Sequence, residues 1–118
     1  MKLLVVVIND RSKLTPLLDR FYELGVKGAT VIDSQGMGHL IADHIPFFSR
    51  FAELSKSDSD ESSYTVFSLI RDQDLLEKAM EAVEETMGDL YKSDTGLLFV
   101  IPVDYVKGCP AEKECEID

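Results

Sequence analysis

The chain has 118 residues, 45% hydrophobic and 29% charged, the size and make-up of one globular domain with a single core. Its 22 Asp and Glu against 12 Lys and Arg give a formal net charge of -10. Such a chain lacks the basic surplus that neutralises nucleic-acid phosphates or anionic lipid headgroups, so neither is expected as a partner. No apolar run approaches the roughly 20 residues that span a bilayer, and residues 3–8 are too short for a signal-peptide core. A cytoplasmic location without membrane insertion is expected.

Residues 2–9 (KLLVVVIN) form a β-branched run ending in an Asn-Asp pair, which predicts a strand buried on both faces. Leu14, Leu17, Leu18, Phe21 and Leu24 then recur at helical spacing. Thr15 is the expected N-cap with Pro16 at the first helical position, Ser12 the alternative, and Gly25 the stop. Residues 29–33 (ATVID) predict a second strand and 64–70 (YTVFSLI) a third. Asp74 followed by Glu77 resembles a capping box for a second helix, with Leu75, Leu76, Ala79, Met80, Val83 and Met87 apolar and Gly88 as stop. Residues 96–106 supply a fourth strand, and Pro102, which has no N–H for the ladder, places that part at an edge or bulge.

Two βαβ halves with right-handed crossovers give an α+β, ferredoxin-like βαββαβ sandwich: a four-stranded antiparallel sheet with two helices on one face. Strands 1 and 4 are apolar on both sides, so the bare sheet face needs a cover, and self-association is the economical one. The expected domain is residues 1–108. Within it, residues 39–62 form a long insertion, a length that goes with function or disorder. Phe47, Phe48, Phe51 and Leu54 share one helical face there and suit either packing on the domain or docking a protein partner. His39 and His44, beside Asp43, are weak candidates for a metal site, lacking a fixed helical spacing. Residues 109–118 read as a flexible tail. Its Cys109 and Cys115, six apart, are weak candidates for a reversible redox pair, because Glu112, Glu114 and Glu116 disfavour the thiolate.

One combination of motifs is specific. The opening strand and Lys13-Leu14 are followed by Leu24-Gly25-Val26-Lys27-Gly28-Ala29-Thr30-Val31, then Gly36-Met37-Gly38 and a long loop. This succession resembles the PII signalling proteins (GlnB-like), and the resemblance runs through the second helix to the end of strand 4. It implies a regulatory homotrimer rather than an enzyme. Its inter-subunit clefts would bind ATP, ADP or a related adenylate such as AMP, and its long T-loop would contact a partner such as a transporter or enzyme. Carried onto this chain, it assigns effector binding to Gly28, Thr30, Gly36, Met37 and Gly38, and to Lys92 and Gly96 in the phosphate-cradling B-loop.

Several positions depart from that pattern. Where the family reads close to T-G-K-I-G-D-G-K, this chain reads Leu90-Tyr91-Lys92-Ser93-Asp94-Thr95-Gly96-Leu97, so Tyr91 and Asp94 replace glycines. The family's C-terminal arginine pair falls near Gly108 and Pro110, leaving Lys107 as the cation nearby. Its metal-coordinating glutamine becomes Leu40, after His39. The chain therefore resembles a divergent member, for which an uncharged or less phosphorylated effector, or none, is as much to be expected as ATP, ADP or AMP. The alternatives are a CutA-like metal-binding trimer using His39 or His44, and an orphan domain that kept the fold without nucleotide binding. There is no Ser-His-Asp set and no Walker loop to argue for catalysis.

Overall fold

The computed structural model describes residues 1–37, 62–92 and 95–108. Strand β1 (Lys2–Ile8) lies between β3 (Ser62–Ile70) and β4 (Gly96–Pro102), antiparallel to both. Strand β2 (Thr30–Gln35) pairs antiparallel with β3, giving the order β2-β3-β1-β4. Helix α1 (Leu14–Leu24) joins β1 to β2, and α2 (Gln73–Met87) joins β3 to β4. This is the expected ferredoxin-like arrangement.

Alternation along β1 divides its side chains between the two faces. Leu4, Val6 and Ile8 join Val66 and Ile70 of β3 beneath Leu17 and Phe21 of α1 and Ala79 and Val83 of α2. Leu4, Ile8 and Leu17 are fully buried, each contributing about 1.5–3 kcal/mol of transfer free energy. Both helices therefore cover the same face. Ser68, buried on that face, donates its hydroxyl to the Gly28 carbonyl at 2.7 Å and so satisfies its own polar group.

The opposite face carries Leu3, Val5 and Val7 in register with Leu69, Phe67 and Thr65 on one side and with Ile101, Phe99 and Leu97 on the other. Val5 is buried between Phe67 and Phe99. Outward along β4, Leu97 remains 50% exposed and Phe99 and Ile101 42% each. Strand 1 is thus buried on both sides at its centre, while the rows beside it are left open. Pro102 ends β4 at the sheet margin, where no neighbour needs its missing N–H.

The helix entries differ from expectation. Asp10, rather than Thr15 or Ser12, caps the first turn: its carboxylate accepts from the Ser12 amide at 3.1 Å and the Ser12 hydroxyl at 2.6 Å. A 3-10 turn (Arg11–Lys13) then leads into α1, so Thr15 and Pro16 fall inside its first turn. Proline is tolerated there because the amide it lacks has no intrahelical acceptor. At α2 the cap is Asp72, not Asp74; Asp72 accepts from the Asp74 amide at 3.1 Å. Both helix stops are as expected. Gly25, at φ 101°, closes α1 with the Gly25 amide on Tyr22 and the Val26 amide on Phe21, the paired bonds of a Schellman turn. Gly88 closes α2. Strand β3 starts at Ser62 and not at residue 64, so Ser62 belongs to the sheet and not to the insertion, and β4 stops at Pro102 rather than continuing to 106.

Candidate functional site

The residues carried over from the resemblance fall at two separate margins of the sheet. Gly28 precedes β2, Thr30 opens it, and Gly36 and Met37 follow its end. Thr30, Gly36 and Met37 are exposed, Met37 at 74%. Lys92 and Gly96 lie at the entrance to β4, the opposite edge. With β3 and β1 between them, one chain does not bring these groups together. Gly38, His39, His44, Phe47, Phe48, Phe51, Leu54, Cys109 and Cys115 lie outside the described residues.

The two glycines flanking these margins differ physically. A Cβ on Gly28 would meet no heavy atom within 4 Å. At Gly96, with φ 136°, a Cβ would sit 2.0 Å from the Val7 carbonyl oxygen and 2.8 Å from the Met87 methyl. Gly96 therefore has a packing reason to be glycine, independent of any ligand.

Beside Lys92, the C-terminal end of α2 and the start of β4 enclose an open cleft of about 460 Å³. Met80, Leu90, Leu97 and Leu98 give it an apolar wall; Glu84, Gly88, Asp89 and Tyr91 complete its described lining. The Tyr91 side chain is 99% exposed. The turn is held by Asp89, whose carboxylate accepts from the Tyr91 amide at 2.9 Å and whose carbonyl accepts from the Lys92 amide at 3.2 Å.

A second polar cluster lies where the sheet gives way to the long insertion. Gln35 and Ser62, the last residue of β2 and the first of β3, are paired across the ladder. Arg11 reaches over both strands. It donates to the Asp33 carboxylate at 3.2 Å, to the Ser62 hydroxyl, and to the Tyr64 hydroxyl at 2.6 Å. The bond from Arg11 holds the Asp33 carboxyl below its ordinary value. Nearby, the Ser63 hydroxyl donates to the Asn9 side chain at 3.1 Å, and the Ser34 hydroxyl lies 2.9 Å from that of Thr65. Sequence reading missed this cluster because Arg11 is 22, 51 and 53 positions from Asp33, Ser62 and Tyr64. An Asn-Asp-Arg run after a strand looks only like a turn.

Among the described residues, no group of three or more His, Cys, Asp and Glu is placed to hold a metal ion. None of the described helices is long and apolar enough to cross a membrane. The model of the nitrogen regulatory protein P-II family matches residues 1–113. The chain belongs to the P-II family. The match spans the glycine turn, the long insertion, the segment around Lys92 and the positions where the arginine pair is missing, so the departures lie inside a family-wide framework. No curated protein matches the sequence. As a P-II family member, the chain is a regulatory, PII-like signalling protein.

Proposed function

We propose that this P-II family protein works as a homotrimer, binding a small effector of the adenylate class (ATP, ADP or AMP) in clefts between neighbouring subunits. The long insertion of the domain contacts a protein partner, such as a transporter or an enzyme, and occupancy of the cleft changes that contact. The protein regulates rather than catalyses.

One observation supports this reading most directly. The β2 margin with Gly28, Thr30 and Gly36 and the β4 margin with Lys92 are opposite edges of one sheet. They form a common cleft only when the β2 edge of one chain meets the β4 edge of another. The open apolar rows of Leu97, Phe99 and Ile101 supply surface for such an association. The Arg11 cluster lies at the foot of the insertion beside the glycine turn, since Arg11 bonds Asp33 and Tyr64 and the last β2 residue, Gln35, pairs with Ser62.

A thermal-shift panel of ATP, ADP, AMP, cyclic nucleotides and bicarbonate, with and without divalent metals, tests the effector, and light scattering tests the assembly. The expected result is a mass of three chains and a raised Tm with at least one adenylate. A monomer at micromolar concentration with no shift from any adenylate would overturn the proposal.

A further inference from the structure

An anion nest works because successive backbone N–H groups stand free and converge on the ligand. In the turn beside the β4 cleft two such donors, among the described residues, are already engaged. The Tyr91 amide donates to the Asp89 carboxylate at 2.9 Å and the Lys92 amide to the Asp89 carbonyl at 3.2 Å. One residue, Asp89, accepts both, the first through its carboxylate and the second through its carbonyl.

The cleft wall points the same way. Its volume of about 460 Å³ is that of a small-molecule site. The described lining contains the carboxylates of Glu84 and Asp89 and no Lys, Arg or His. Lys92 is solvent-exposed and is not part of that lining. Met80, Leu97 and Leu98 offer apolar surface instead, and the exposed Tyr91 ring offers an aromatic face for stacking. A phosphate entering here would meet the like charge of Glu84 and Asp89.

We infer that this cleft selects an uncharged or cationic ligand with an apolar face, a nucleoside in preference to its phosphates. The inference rests on the proposal that the segment after α2 forms one wall of the effector cleft, and it specifies the charge that this wall admits. Glu84 and Asp89 set the preference by repulsion, as specificity against a competing ligand commonly requires.

The test is a titration of the full-length, isotope-labelled protein with adenosine, AMP, ADP and ATP in the absence of divalent ions, followed by amide NMR. Adenosine is expected to move the Leu90, Tyr91, Leu97 and Leu98 amides, with an apparent Kd at least tenfold tighter than AMP and tighter still than ATP. A double variant, Glu84→Gln with Asp89→Asn, keeps an acceptor for the Tyr91 amide and should shrink the adenosine-to-ATP ratio to below threefold. ATP binding at these amides as tightly as adenosine overturns the inference while leaving the regulatory trimer standing. So does an absence of any adenosine effect at millimolar concentration, because the trimer is decided separately by light scattering and the effector by the wider panel.

Discussion

The Arg11 guanidinium carbon lies 4.1 Å from the centre of the Tyr64 ring, while one of its nitrogens donates to the Tyr64 hydroxyl at 2.6 Å. Arg11 therefore grips the first turns of β3 through both the face and the tip of one side chain, and reaches β2 through Asp33. The planar fork makes this possible, and an ammonium would not reproduce it. Arg11→Met, which keeps the aliphatic stem, should destabilise the protein by about 1–2 kcal/mol, given charge-assisted bonds in a partly exposed setting. Hydrogen exchange should quicken at residues 34–35 and 62–64 more than at β1 or β4. Unchanged exchange there would mean that the cluster does not hold the strand ends together.

The carboxyls of Asp33 and Asp10 are both held below the usual range. Asp33 is lowered by the hydrogen bond from Arg11, Asp10 by the hydroxyl and then the amide of Ser12. A depressed folded-state value means that the unfolded chain binds more protons in that window, so stability rises with pH there. The contribution is complete above the unfolded value near 3.9 and is lost as pH falls through the lowered one. Asp33→Asn should therefore differ from the parent in urea unfolding at pH 7, with the difference closing as pH falls through the lowered value of the folded-state carboxyl. A gap that widened on acidification would contradict the assignment.

Gly96 and Gly28 make a paired test of which glycines serve the fold. Gly96→Ala drives a methyl into the Val7 carbonyl from a left-handed backbone, and should cost roughly 2–4 kcal/mol by overpacking and backbone strain together. Gly28→Ala meets empty space, so thermal unfolding should show a change within about 1 kcal/mol, of either sign. If Gly28→Ala also weakens adenylate binding or shifts the oligomer, its role is at the inter-chain cleft; with both unaltered, Gly28 leaves the effector assignment.

The exposed rows of the sheet give the most direct test of assembly. Phe99→Glu places a charge at the middle of the open β4 row, where burial against another chain would leave it unpaired. Light scattering should fall from three chain masses to one with helix content retained. Tyr22→Glu, at an 82% exposed position on α1, should leave the mass unchanged. A Phe99→Glu protein of unaltered mass would show that this face is not the contact.

Much of the fold was legible in local chemistry. The apolar run of β1, the 3.6-residue spacing of Leu14, Leu17, Phe21 and Leu24, and the stops at Gly25 and Gly88 each act within a few residues. Caps were less legible, because Asp72 and Asp74, or Asp10, Ser12 and Thr15, offer neighbouring side chains of similar capping strength. Which one binds depends on the angle at which the chain leaves the preceding strand, and that angle is fixed by packing.

The candidate site divides along the same line. The residues around Gly28, Thr30 and Gly36 and around Lys92 and Gly96, and the departures at Tyr91 and Leu97, came from the family resemblance and not from local chemistry. Their separation could not be read from the sequence, since the strand order that sends them to opposite edges is a property of the sheet. Nor could the Arg11 bridge or the engagement of the Tyr91 and Lys92 amides by Asp89. Sequence alone determined the element order, the uncovered apolar face and the acidic character of the chain, because these follow from side-chain type and spacing. Only the tertiary structure decided which polar groups meet and which donors stay free, because hydrogen bonds are settled by distances of a few ångströms between residues far apart in the chain.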